Sequence, residues 1–344
     1  MDIFWNVLFL IIGLVLLIKG ADFFVSGASA VAKKFKVSPL IIGLTIVAIG
    51  TSLPELAVSI TSAISGSLDM SVGNVLGSNM ANMLLILGIV AIMKPIPIKA
   101  SAKSFDLPMM MLVTCLLFLF SSDIIFNNES SDVISRTEGI VLVGIFVFFI
   151  YMNVKFAKRQ NVIQTAKIQK QQELLDNAKE QTDDKNDKSE KPLKVWQVIL
   201  YLIFGLAAVV FGGECVSRTS QFLAVKAGMS EALVGLTIVA VGTSLPELAT
   251  SIVAAKKGEV DLAVGNIVGS NIMNIVMILG IVGIITPIPV SSLIFVDLII
   301  LIASTFAFTI MALTRMRLSR GEGVTLLVIY LAYIAFAIVR NYCF

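Results

Sequence analysis

The sequence predicts an all-α membrane protein, with ten transmembrane helices in two inverted five-helix repeats. Three observations carry that expectation. Apolar residues make up 57% of the chain and charged residues 14%, with a mean hydropathy of +0.94, whereas a soluble domain carries about 25% charge. The apolar stretches each run about 20 residues, enough to cross a ~30 Å hydrocarbon core as helix and unlike the ~10-residue alternation of barrel strands. Finally, Gly43 to Pro97 occurs twice. Laid without a gap against Gly235 to Pro289, it matches at 35 of 55 positions, at a constant offset of 243 − 51 = 192. That extent of identity between two apolar segments marks a duplication.

In chain order the expected spans are 4–26, 38–64, 71–93, 106–122 and 137–157, then 195–222, 230–255, 261–285, 291–313 and 322–340. They divide the chain into a first half at 1–157, a linker at 158–194 and a second half at 195–344. The amino terminus lacks a basic region and a small-residue cleavage site, so the first span is expected to be retained. Five crossings per half is an odd number, so the second copy enters from the opposite side and the repeats are inverted about an axis in the membrane plane. Lysines and arginines cluster in alternate loops: Lys33, Lys34 and Lys36; Lys94, Lys99 and Lys103; Lys256 and Lys257; Arg315, Arg317 and Arg320. By the positive-inside rule the chain is a multi-pass cell-membrane protein with both termini outside and the central loop in the cytoplasm. That loop is polar and poor in aromatics. Its first half is expected to extend the fifth helix and its second half to be disordered, as a solvated linker. Basic residues confined to span ends argue against nucleic acid as a partner, and Cys115, Cys215 and Cys343 have neither disulfide nor metal spacing.

Both copies set a carboxylate inside a span. An ionisable group there costs several kcal/mol, so Glu55 and Glu247 are the first functional candidates. Ser52-Leu53-Pro54-Glu55 and Ser244-Leu245-Pro246-Glu247 also match a capping box, in which the glutamate closes a half-helix; the two roles are compatible. Pro54 and Pro246 lack the amide hydrogen that would bond the carbonyls of Gly50 and Gly242, and freed backbone groups are tolerated at membrane depth only beside a cavity or another partner. Carbonyls, the hydroxyls of Thr51, Ser52, Thr243 and Ser244, and the two glutamates then converge as an all-oxygen site. Hard cations suit such a site, and calcium takes 6–8 oxygens. Ser78 with Asn82 and Ser270 with Asn274 lie four apart on one helix face each and point to the same site. For Asn79 and Asn271, ligation and interhelical hydrogen bonding are both open. Lys19, Asp22, Glu214, Asp106 and Asp297, near span ends, are expected to snorkel or pair at the interface.

Gly50-Thr-Ser-Leu-Pro-Glu55 with Gly73-Asn-x-x-Gly-Ser-Asn79, repeated at Gly242–Glu247 and Gly265–Asn271, resembles the calcium/cation antiporter superfamily, and within it the prokaryotic-type sodium/calcium exchangers. The resemblance implies a secondary active antiporter, not an enzyme, that exchanges calcium for sodium by alternating access and needs no cofactor. It implies calcium between Glu55 and Glu247 with the Thr51 and Thr243 carbonyls. Sodium would use Ala48, Ser52, Ser78, Ala240, Ser244 and Ser270 besides the glutamates, with Asn82 and Asn274 facing the cluster. Asn274 departs from the aspartate several such exchangers carry, which bears on stoichiometry and potassium dependence. The expected partners are calcium and sodium ions and the lipid bilayer, with no obligate protein partner. A calcium/proton antiporter is the nearest alternative and a cation channel a more distant one.

Overall fold

The computed structural model describes residues 3–122, 132–178, 194–229 and 240–343. The first helix, α1 (Ile3–Lys34), runs unbroken because its apolar sequence contains no proline, and it ends at its two basic residues. Lys36, in the left-handed region at φ 53, turns the chain, and the Ser38 hydroxyl accepts the Leu40 N–H at 3.3 Å to start α2 (Pro39–Thr51). After Ser52 the chain bends by 42° into α3 (Leu53–Ile64), where Pro54 cannot donate back along the helix. The second expected span is thus a broken one.

The remaining helices are α4 (Leu68–Met93) and α5 (Ala102–Phe120); α6 (Arg136–Ala178) and α7 (Val195–Lys226); the turn α8 (Ala240–Gly242) and α9 (Leu245–Lys256); α10 (Val260–Ile285); and α11 (Ser292–Arg315) and α12 (Arg320–Cys343). Among the described residues, eight helices are long and apolar enough to cross a membrane, and the bent α2–α3 pair makes a ninth. Of the expected span 230–255, residues 230–239 lie outside the described residues, as do 179–193 of the linker. Helix α6 runs on past its apolar part to Ala178, well into the segment read as a linker. Among the described residues, four helices contain a wider π-helical stretch: Gly43–Val47 in α2, Ala81–Ile86 in α4, Ala102–Asp106 in α5 and Asn274–Leu279 in α10.

At the centre lie α4 and α10, and every residue of α10 from Leu262 to Gly280 is buried. Their small residues are what let backbones meet. A Cβ on Gly43 would stand 2.4 Å from the Leu262 carbonyl oxygen, and one on Gly265 would stand 2.3 Å from that of Leu40, so α2 and α10 touch main chain to main chain. Around this centre the packing is reciprocal: α12 lies on α4 and α6 on α10. Two short strand pairs repeat the pattern, Ile96–Pro97 with Arg317–Leu318 and Val133–Ile134 with Ile288–Pro289. Outer faces of α6, α11 and α12 expose Phe148, Ile310 and Leu331, as helices against lipid do. Helices α1 and α7 run antiparallel as a pair, Gly13 near Gly212, Gly20 near Val209 and Gly27 near Leu202.

Candidate cation site

The break in α2–α3 and its counterpart at α8–α9 bring the two glutamates into the interior, where both are 0% exposed. The capping boxes that the motif would allow do not form: no side chain caps either half-helix at Ser52 or Ser244. Each serine reaches across to the other half instead. The Ser52 hydroxyl donates to Glu247 Oε1 at 3.3 Å, and the Ser244 hydroxyl donates to Glu55 Oε1 at 3.5 Å. From α10, Ser270 donates to Glu247 Oε1 at 3.5 Å; from α4, Ser78 lies 3.4 Å from the Thr243 hydroxyl. The Ala48 carbonyl accepts the Ser52 N–H at 3.0 Å, and a carbonyl so engaged keeps a second lone pair. Ala240 opens the turn α8.

A ring of side chains holds these groups. Thr51 donates to Asn266 Oδ1 at 3.0 Å and Thr243 to Asn74 Oδ1 at 3.2 Å, the same bond made in both directions between the halves. Behind them Asn266 donates to Thr250 and Ser251, each at 3.1 Å, and Asn74 to Ser59 at 3.1 Å. Asn79 donates to the Asn271 carbonyl at 3.3 Å, and Asn274 donates to Asn79 Oδ1 at 3.0 Å. Asn79 thus serves the contact between halves, one of its two open readings. Asn74 and Asn266 are the asparagines that follow Gly73 and Gly265 in the repeated motif, which by itself does not give them this bracing role. Sequence reasoning passed over Ser59 and Ser251, although both are serines at the same offset of 192.

What remains unsatisfied is concentrated here. Glu55 Oε2, Glu247 Oε2, both polar atoms of Asn82 and Asn271, and Asn274 Oδ1 are fully buried with no hydrogen-bond partner among the described residues. Buried polar groups are almost always paired, so the orphaned oxygens among these atoms make this cluster a candidate cation site. Asn82 and Asn274 sit in the π-helical stretches of α4 and α10, a distortion frequent at functional sites. No group of three His, Cys, Asp or Glu converges among the described residues, so the centre offers carboxylate, hydroxyl and amide oxygens, the donor set of hard ions rather than transition metals.

Among the charged residues expected at interfaces, Asp22 pairs with Lys257 at 2.8 Å, Glu214 pairs with Arg218, and Arg340 grips Asp297 through two bonds of 2.9 and 3.0 Å. Asp106 departs from that expectation. It is 4% exposed and makes no hydrogen bond or ion pair among the described residues; the π-helical turn that it ends lines a cavity together with α6.

An all-helical membrane protein with two buried carboxylates and an oxygen cluster between broken helices is a membrane cation transporter. The family described as sodium/calcium exchanger protein matches residues 5–155 and 197–339, and the chain belongs to that family, whose members are antiporters and not enzymes. It is 39% identical over 330 residues to the CaxA protein of Alkalimonas amylolytica, covering 95% of this chain and 96% of that one. It is 35% identical over 349 residues to the sodium/calcium exchanger MaX1 of Methanosarcina acetivorans, covering 96% and 97%. Among solved structures, one of the sodium-calcium exchanger NCX_Mj superposes with a TM-score of 0.79 at 28% identity, over 97% of this chain and 99% of that one.

Proposed function

We propose that this antiporter exchanges sodium for calcium across the cell membrane, binding the ions at the Glu55–Glu247 centre and exposing them to each side in turn. One observation carries the reading: two fully buried glutamates, each touched by the serine of the opposite repeat and each left with one unpartnered oxygen. Calcium would bridge the two carboxylates with help from the Thr51 and Thr243 carbonyls. Sodium would use Ala48, Ser52, Ser78, Ala240, Ser244 and Ser270, with Asn82 and Asn274 supplying amide oxygens. The reciprocal bonds Thr51–Asn266 and Thr243–Asn74 and the paired strand contacts support two inverted halves of five spans, 1–157 and 195–344, joined by 158–194. The loop charges support termini outside and the central segment in the cytoplasm.

The family resemblance suggests three sodium ions on the return step, and charge counting then gives the electrical consequence. With Asn82 and Asn274 neutral, the ionised centre carries −2, and one calcium brings it to zero. Three sodium ions bring it to +1, so one charge crosses per cycle, worth about 2.3 kcal/mol per 100 mV. Calcium uptake into proteoliposomes tests this directly. The expected result is uptake that requires an outward sodium gradient and responds to a potassium-diffusion potential. Uptake driven equally by a pH gradient would replace sodium by protons, uptake without any counter-ion would make the protein a channel, and indifference to the potential would replace three-for-one exchange by two monovalent ions per calcium.

A further inference from the structure

Away from the central cluster, a cavity of about 220 Å³ lies between the start of α2, the π-helical turn of α5 and α6. Asp106 and Asn153, both buried, form its inner wall. The Asn153 amide donates to the Phe149 carbonyl at 3.0 Å, which leaves its oxygen as the free acceptor. Asp106 has no partner among the described residues, and an uncompensated carboxylate inside a membrane protein is costly enough to indicate a ligand. The exposed Arg159, itself without an ion pair among the described residues, stands at the mouth. Apolar side chains, Phe105, Phe156 and Ile163 among them, supply much of the remaining wall.

The arrangement is therefore two buried acceptors inside, a largely apolar passage that also carries Ser101, Ser104 and Gln160, and a cation outside. Calcium would need 6–8 oxygens, carboxylates among them, whereas this lining has one carboxylate, and its Gln160 oxygen already accepts the Ser38 N–H at 3.0 Å. A primary ammonium needs only two or three acceptors. A short hydrocarbon link from that ammonium would suit the walls, and an anion at its far end would meet Arg159. Ser101 lies beside the start of α5, and Arg159 and Ile163 lie where the apolar part of α6 ends, so the mouth is at the level of lipid headgroups. We propose that this cavity binds an ammonium–ethyl–phosphate group, as carried by phosphatidylethanolamine, with the ammonium on Asp106 and Asn153 and the phosphate on Arg159.

Native mass spectrometry of the purified full-length protein, titrated with phosphatidylethanolamine, its N-methylated forms and phosphatidylcholine of the same acyl chains, tests this. Methylation removes the hydrogens that Asp106 would accept. Binding is expected to fall along that series, and Asp106→Asn should weaken phosphatidylethanolamine binding by at least about tenfold while leaving phosphatidylcholine unchanged. Arg159→Gln, at an exposed position, should weaken it less. If Asp106→Asn does not purify folded, the headgroup series on the unmodified protein decides. Equal binding of the ethanolamine and choline lipids, or undiminished binding by a folded Asp106→Asn variant, would overturn the proposal. Competition by soluble O-phosphoethanolamine would uphold the chemistry and make a soluble ligand its source, whereas lipid binding that resists this competitor would uphold it and make the bilayer the source.

Discussion

Helices α3 and α9 begin with the same five-residue run, Leu-Pro-Glu-Leu-Ala, followed by Val58 or Thr250, yet they live in different surroundings. Leu53 is 43% exposed and Ala57 is exposed, while their counterparts Leu245 and Ala249 are half-buried. The difference comes from the α1–α7 pair, which leans on α9: Leu17, Ala21 and Val209 pack against Leu245, Ala249 and Val253. Beyond α9, Lys257 bonds both Asp22 and Ser26, and Ser29 donates to Glu259 at 2.6 Å. The first repeat has Ser65 and Ser67 where the second has Lys257 and Glu259 (257 − 65 = 192), so it lacks the charges to make the same grip. The α1–α7 pair is thus held more firmly against the second repeat than against the first.

The largest effect is expected where the repeats should be equal. Glu55→Gln and Glu247→Gln should each lower calcium exchange about 100-fold or more, since either leaves a divalent ion with a single carboxylate, while circular dichroism stays that of the folded protein. A large loss from one substitution and none from the other would show that only one half carries the ion. Next, Gly265→Ala should lower the thermal stability of the purified protein by about 1–3 kcal/mol, the cost of overpacking, because its Cβ would meet the Leu40 carbonyl.

Smaller changes probe the asymmetry itself. Lys257→Ser, which copies Ser65, should loosen the held end, an exposed ion pair being worth roughly 0.5–1 kcal/mol. Measured by maleimide labelling, a cysteine at Ala57 should react faster than one at Ala249, and Lys257→Ser should narrow that gap roughly two- to fivefold. Equal rates before the substitution would mean that the two faces do not differ in the membrane. Smallest of all, Thr250→Val, which copies Val58, removes an acceptor from Asn266. It should cost about 1 kcal/mol in stability and leave the exchange rate near wild type; a lost rate would place Thr250 in the ion path.

By itself the sequence determined the helical membrane class, the duplication at 192, the break at Pro54 and the identity of the two buried glutamates. Each of these rests on local chemistry: hydropathy along about 20 residues, a proline without its amide hydrogen, or a carboxylate among apolar neighbours. Tertiary structure alone decided that Ser52 and Ser244 bond the opposite glutamate rather than cap their own helices, because a capping motif says nothing about a competing acceptor 195 residues away. It likewise decided that Asn82 and Asn274 lie in π-helical stretches, that Asp106 faces a cavity, and that α1 and α7 cover α9 more than α3. Those outcomes depend on which surfaces meet when the two halves pack, and a repeat read along its own residues does not show which of its faces another helix will cover.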